Sequence, residues 1–219
     1  MDKKVSSVIF WGAAWGITEA TLGYVLHAFE LRIGWLFWFP IAFFFLERVY
    51  HHIGSAGAVF YSAIIASVIK LVDLLLPTRI DLVINPAISI LLEGLVVFAY
   101  LKVKEENKDH TGISFGQTLT ISVGWRILYA LYILLMPTSF FNLSPLKSLE
   151  TLLRFFLLEG TVNSLIVYTY MKVKGVLSQK IVLGRLNLFA NWVENNKVSR
   201  TSISIVTLIL AIFCQWILG

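Results

Sequence analysis

The sequence predicts an all-α membrane protein, a polytopic bundle of about seven transmembrane helices. Of its 219 residues, 58% are hydrophobic and 14% are charged, and the mean hydropathy is +0.79. The apolar residues form long runs, and about 20 such residues at ~1.5 Å rise cross the ~30 Å hydrocarbon core of a bilayer. A soluble domain of this composition would expose more apolar surface than water tolerates. We therefore expect a multi-pass protein of the cell membrane, specifically the cell inner membrane.

The seven predicted spans are separated by short polar connections whose charge alternates. The spans cover residues 5–29, 33–50, 55–77, 82–103, 113–137, 148–173 and 201–218. Most Lys and Arg residues fall on the side of Lys3 and Lys4, whereas Arg32, Arg79 and Lys147 fall on the other. By the positive-inside rule the N-terminus is cytoplasmic and the C-terminus lies outside. The first run contains a Glu and lacks a cleavage site, so we expect it to remain as a helix.

Two stretches predict more specific features. The second span is crowded with aromatic residues, which favours a lipid-facing or interfacial helix, and Pro40 within it predicts a kink. After the sixth span, Val182, Leu186, Phe189 and Val193 recur at helical spacing, so residues 182–193 predict a helix lying on the cytoplasmic surface. Such a helix serves either for membrane adhesion or for docking a partner. We accordingly divide the chain into a six-helix bundle, residues 1–174, and a C-terminal part, residues 175–219.

A short sequence repeat runs through the bundle. Residues 70–104 and 126–174 each begin with a cation in an outbound helix, pass a Pro-Thr pair and return through Leu-Leu-Glu-Gly to a Tyr-x-Lys-Val-Lys end. Both units run from inside to outside and back. The pattern favours a parallel repeat of helical hairpins.

Charged residues inside the apolar runs predict the functional site. An unpaired ion at the bilayer centre costs ~2.5–3.5 kcal/mol on insertion scales, so such residues meet partners inside a bundle or line a pathway. Helical spacing gives each span one polar stripe, and we expect these stripes to converge in the outer half of the membrane. The predicted solute-binding residues are Glu19, Lys70, Asp73, Asn85, Glu93, Arg126, Glu159 and Asn163.

A purely structural interpretation of these charges stays open. Lys70 and Asp73 are spaced i, i+3, and Glu150 and Arg154 are spaced i, i+4, so each pair can neutralise itself within one helix. A salt-bridge network that only fixes the helix register would look similar in the sequence.

Several classes of function are disfavoured. The basic residues cluster at the ends of apolar runs, which argues against nucleic-acid binding despite the net charge of +5. Cys214 is the single cysteine, and the chain has no metal-binding spacing of His and Cys. No nucleotide-binding loop or nucleophile motif is present either. We expect neither catalytic residues, metal nor cofactor, and we do not expect an enzyme.

The layout resembles that of the substrate-binding membrane (S) subunits of energy-coupling-factor transporters. The resemblance rests on a cytoplasmic N-terminus, a small-residue face at Gly12, Gly16 and Ala20, and a polar pocket biased outward. It implies a small-molecule solute and partner subunits that include a separate ATPase. The seventh span and the three intramembrane Glu residues depart from that layout.

We therefore expect an integral membrane transport protein that binds a small polar or charged solute. Arg126 and Lys70 would hold an anion, whereas Glu93, Glu159 and Glu19 would hold a cation. One alternative is a proton- or cation-coupled secondary transporter. Another is a membrane assembly or accessory subunit whose intramembrane salt bridges are structural.

Overall fold

A computed structural model describes residues 2–30, 33–77, 79–107, 112–137, 144–177 and 197–218, and every regular element in these ranges is helical. The helices are α1 (Lys3–Ala28), α2 (Trp38–Ile53), α3 (Ala56–Lys70), α4 (Ile80–Glu106), α5 (Phe115–Leu134), α6 and α7 (Lys197–Leu218). Helix α6 is continuous through Leu149–Leu153, a π-helical turn at Arg154–Glu159, and Gly160–Leu177. A 3₁₀ turn, Leu71–Leu75, extends α3. The all-α prediction is confirmed.

Four segments of the described ranges are long and apolar enough to cross a membrane. They are Ala56–Leu75, Ile80–Glu106, Leu149–Lys174 and Arg200–Leu218. Helices α1, α2 and α5 are not among these four. Helix α2 has only 16 residues, and the polar residues of α1 and α5, which include Glu19 and Arg126, lower the mean hydropathy of those helices. Length and composition therefore indicate a membrane protein with four candidate spans.

The outer surface of the bundle is strongly apolar. Helix α7 exposes a row of large hydrophobic side chains: Ile205, Val206, Ile209, Leu210, Ile212, Phe213, Trp216 and Ile217. Helix α6 does the same with Leu157, Leu158 and Leu165. Soluble proteins rarely leave contiguous apolar patches larger than a few hundred Å². This surface is the kind that lipid tails cover.

Helix α2 packs into the core, so the prediction of a lipid-facing or interfacial helix is wrong. Phe39, Phe43 and Phe45 are all buried. The ring of Phe39 stacks on Trp125 at 6.1 Å, and that of Phe45 stacks on Trp15 at 6.4 Å. Aromatic rings fill the space between helices as well as they face lipid, and composition alone does not separate the two roles.

The predicted kink at Pro40 is also wrong. Helix α2 begins at Trp38, which places Pro40 in its first turn. The first backbone N–H groups of a helix have no intrahelical acceptor, so a proline there breaks no hydrogen bond. Pro86, in contrast, lies inside α4.

The small-residue face of α1 contacts α3 closely. A Cβ atom at Gly12 would lie 2.8 Å from the carbonyl oxygen of Ser62, and one at Gly16 would lie 2.9 Å from Cδ1 of Ile69. Helix α7 also packs along α1, where Ser204 Oγ donates a hydrogen bond of 2.8 Å to the carbonyl oxygen of Ser6. The predicted surface helix at residues 182–193 lies outside the described residues.

Candidate functional site

Charged side chains from several helices form a row across the bundle, which we call the charged row. Each member lies near enough to the next for their charges to interact. In order, the members are Asp73, Lys70, Glu19, Glu93, Arg126, Glu159 and Arg154. The row connects the end of α3 with α1, α4, α5 and α6.

The first end of the row is closed by direct contacts. Lys70 Nζ lies 2.7 Å from Oδ2 of Asp73, which confirms the predicted local pair. Gln215 Nε2, from α7, lies 2.7 Å from each carboxylate oxygen of Asp73. Asp73 is buried and fully engaged, so this end of the row fastens α7 to the rest of the bundle.

The opposite end is also paired, but the predicted pairing is wrong. Arg154 Nε lies 3.3 Å from Oε1 of Glu159, rather than pairing with Glu150. The intervening backbone is a π-helical turn, whose i, i+5 hydrogen-bonding pattern brings residues five apart onto one face. The predicted Glu150–Arg154 pair requires α-helical spacing, which the π-helical turn does not keep after Arg154.

The two central members of the row, Glu93 and Arg126, remain incompletely paired. Glu93 is 3% exposed, yet among the described residues its carboxylate accepts no hydrogen bond and has no cation within 4 Å. Arg126 is 1% exposed, and its Nη1 donates to the carbonyl oxygen and to Oγ of Ser122 at 2.7 and 2.8 Å. Its Nε has no partner within the described part of the chain.

Aromatic rings surround the guanidinium group. Arg126 Cζ lies 4.5 Å from the ring centroid of Trp125 and 5.2 Å from that of Phe155. Tyr129 packs against both rings, and Phe39 stacks on Trp125 from α2. These cation–π contacts stabilise the charge without using its hydrogen-bond donors. The indole N–H of Trp125 is itself buried, with no acceptor among the described residues.

Short polar contacts hold α5 against α6 beside this group. Ser122 Oγ on α5 donates to the carbonyl oxygen of Gly160 at 3.0 Å, and Ser164 Oγ on α6 donates to the carbonyl oxygen of Thr118 on α5 at 3.4 Å. The π-helical turn ends immediately before Gly160. Turns of this kind are frequent at functional sites, and here the turn carries Phe155, one wall of the Arg126 environment.

The remaining predicted residues differ in their placement. Asn163 is buried one turn beyond Glu159, and its Oδ1 lacks a donor within the described ranges. Glu19 accepts a hydrogen bond of 3.0 Å from Trp15 Nε1. Asn85 lies apart from the charged row, where its Oδ1 accepts from Tyr132 Oη at 3.2 Å.

Sequence reasoning missed three residues of the site. Trp125 and Phe155 were hidden among many aromatic residues, since only the fold reveals which rings meet a charge. Gln215 had a usable signal, because an amide in the last apolar run requires a partner inside the bundle. A separate ion pair between Glu47 and Lys174, which joins α2 to α6, was also missed.

Comparisons with known proteins do not assign the chain to a family. No protein-family model matches the chain, and neither a curated protein nor a solved structure matches it. Among the described residues, no three His, Cys, Asp or Glu side chains are grouped to hold a metal ion. The candidate site is therefore defined by its own chemistry.

Proposed function

We propose that the protein is an integral membrane transport protein that binds a small polar or charged solute at the centre of the charged row. The observation that carries the proposal is that Nε of Arg126 and the indole N–H of the adjacent Trp125 are buried without partners among the described residues. Oδ1 of Asn163 on α6 is also buried and unpaired there, and no hydrogen bond or cation within 4 Å meets the carboxyl group of Glu93 in the same part of the chain. A bound solute would supply them.

The energetics support this assignment over a purely structural one. More than about 90% of buried polar groups in proteins have a hydrogen-bond partner, because an unpaired one costs ~1–3 kcal/mol. The charged groups at the two ends of the row follow this rule through Lys70–Asp73 and Arg154–Glu159, although the neutral Oε1 of Gln215 beside Asp73 is unpaired among the described residues. A network that only fixed the helix register would be paired in the middle as well.

The proposal includes the full transmembrane arrangement. In it α1, α2 and α5 cross the membrane together with the four candidate spans, because their polar residues are shielded inside the bundle. The N-terminus is cytoplasmic, the two hairpins are parallel repeats, and the site opens outward. From the resemblance of the predicted layout to that of S subunits of energy-coupling-factor transporters, we propose a separate ATPase as the energy source.

A second candidate is a proton- or cation-coupled secondary transporter. It is favoured by Glu19 and Glu93, whose carboxylates are neighbours in the charged row and within range of electrostatic repulsion. A shared proton or a bound cation would relieve that repulsion. This candidate predicts that Glu19→Gln abolishes the dependence of uptake on a proton or cation gradient.

Native mass spectrometry of the purified protein tests the first proposal. We expect a co-purifying small molecule that is lost in Arg126→Met and kept in the matched control Arg154→Met, since Arg154 is half exposed and already paired. Both variants should be recovered in folded form. The proposed site would be refuted if the Arg126→Met variant still co-purified with the small molecule. It would also be refuted if the wild-type protein co-purified with no small molecule and bound none that was added.

A further inference from the structure

A groove between α1 and α3 opens at the end of the bundle where both helices begin. It is a cavity of about 510 Å³, within the ~300–1,000 Å³ that is typical of small-molecule sites. Lys4 and Ser55, at the starts of the two helices, are among the residues that line it. The larger side chains along its walls are Val5, Val8, Ile9, Tyr61, Ile64 and Ile65.

The packing of α1 on α3 closes the groove at its deep end. A Cβ atom at Gly12 would lie 2.9 Å from Cβ of Ile65, so the two helices touch there, whereas the cavity separates them nearer their starts. Along α3 the lining extends from Ser55 to Ile65, a rise of ~15 Å at ~1.5 Å per residue. This depth is about half of the ~30 Å hydrocarbon core, which is the thickness of one leaflet.

The charged group of the groove lies at its open end. Lys4 is exposed and forms no ion pair or hydrogen bond with the described residues. Ser55 is the N-cap residue of α3, but its hydroxyl group caps no backbone N–H. Glu105, which does not line the groove, accepts a hydrogen bond of 2.8 Å from the backbone N–H of Ala56. The open end therefore offers a cation and a hydroxyl group to a ligand.

This arrangement matches a lipid that is charged at one end and apolar over the thickness of one leaflet. We infer that the groove binds an anionic phospholipid, whose phosphate contacts Lys4 and Ser55 and one of whose acyl chains lies between α1 and α3. Basic pockets between membrane helices are known to bind anionic headgroups. A neighbouring transmembrane helix would need a seam along the whole bundle, whereas this groove ends at Ile65. No member of the charged row lines the groove, so this site is additional to the proposed function.

The charge of the surrounding helix ends favours the same ligand. Helices α4 and α6 end on this side of the bundle, where they carry Lys102, Lys104 and Lys172. Among the residues that the structure describes, Lys and Arg outnumber Asp and Glu at this end. A basic surface attracts anionic headgroups within a Debye length of ~8–10 Å.

Native mass spectrometry of the purified full chain with defined lipids tests the inference. The protein would be mixed with phosphatidylglycerol and phosphatidylcholine that carry identical acyl chains. We expect the wild type to bind phosphatidylglycerol about fivefold more tightly, the ratio given by ~1 kcal/mol for one basic residue near a membrane surface. Lys4→Gln should remove this preference. The matched control Lys3→Gln should keep it, because it removes the same charge at a residue that does not line the groove.

A second variant tests the position of the acyl chain. A Cβ atom at Gly57 would lie no nearer to another residue than 3.7 Å, from Oγ of Ser55, so Gly57→Leu should fold. Its side chain would fill part of the groove and should weaken the binding of both lipids about fivefold or more. Gly116→Leu is the matched control, since Gly116 holds the same position after the N-cap Ser114 of α5 and does not line the groove.

The results that would overturn the inference are distinct. Equal affinity of the wild type for the two lipids would exclude recognition of an anionic headgroup. Equal loss of the preference in Lys4→Gln and Lys3→Gln would indicate diffuse attraction by the basic surface. Undiminished lipid binding in Gly57→Leu would place the acyl chain elsewhere, and a dimer that this variant dissociates would make a second copy of the chain the occupant.

Discussion

The tetrapeptide Leu-Leu-Glu-Gly occurs twice in the bundle, and its two copies have opposite environments. In α4, Glu93 is 3% exposed and has no hydrogen-bond or ion partner among the described residues. In α6, Glu159 lies at the end of a π-helical turn and pairs with Arg154, whose side chain is 54% exposed. One copy places a buried carboxyl group without a close partner inside the bundle, and the other pairs its carboxylate with a half-exposed arginine.

The glycines of the two copies also differ in how closely a neighbouring helix approaches them. A Cβ atom at Gly94 would lie 2.2 Å from Cβ of Ala63 on α3, whereas one at Gly160 would lie 3.5 Å from its nearest neighbour, Cγ2 of Val123 on α5. At this position α4 therefore lies closer to α3 than α6 lies to α5. Such a close approach, which a small residue permits, fixes the helix that carries Glu93.

The largest expected effect comes from adding a methyl group at each glycine. Gly94→Ala should destabilise the protein by about 1–3 kcal/mol or more, because the contact with Ala63 leaves no room. Gly160→Ala, at ordinary contact distance, should change stability by less than about 1 kcal/mol. Thermal unfolding in detergent measures both changes. The double variant Gly94→Ala with Ala63→Gly should recover most of the loss, and equal losses for the two single variants would contradict the comparison.

Neutralising the two glutamates gives the next largest difference. Glu93→Gln should keep or raise the unfolding temperature, because it replaces a buried, unpaired carboxylate with a neutral amide. Glu159→Gln should lower stability by up to about 1 kcal/mol, since it removes one partner of a partly exposed ion pair. The measurement is thermal unfolding of both variants without added solute. A marked loss of stability in Glu93→Gln would mean that this carboxylate holds the fold together.

The smallest effect concerns salt. At ~1 M salt the Debye length falls to about 3 Å, so the partly exposed pair of Arg154 and Glu159 should contribute less to stability. The difference in unfolding temperature between wild type and Arg154→Met should therefore shrink as salt rises. The same series for Arg126→Met should show little salt dependence, because Arg126 is buried. An equal salt dependence in the two series would contradict this expectation, because it would mean that Arg126 and Arg154 are equally exposed to solvent ions.

Much of the fold was predictable because apolar runs in a bilayer have few alternatives to helix. The predicted span 82–103 became Ile80–Glu106, and 201–218 became Lys197–Leu218. The burial of Glu93 and Arg126 was likewise predictable, from the cost of placing charges in lipid. The burial of α2 was not, since its aromatic residues suit a core and a lipid surface equally well.

The sequence by itself determined that this chain is a helical bundle with buried charges, because hydrophobicity and charge are properties of each residue in its own run. Only the tertiary structure decided which charges are paired. Glu93 and Glu159 sit in identical tetrapeptides, but only Glu159 lies in a π-helical turn, where Arg154 pairs with it. Pairing is a matter of distances between helices, and these are set by packing that no single run of residues specifies.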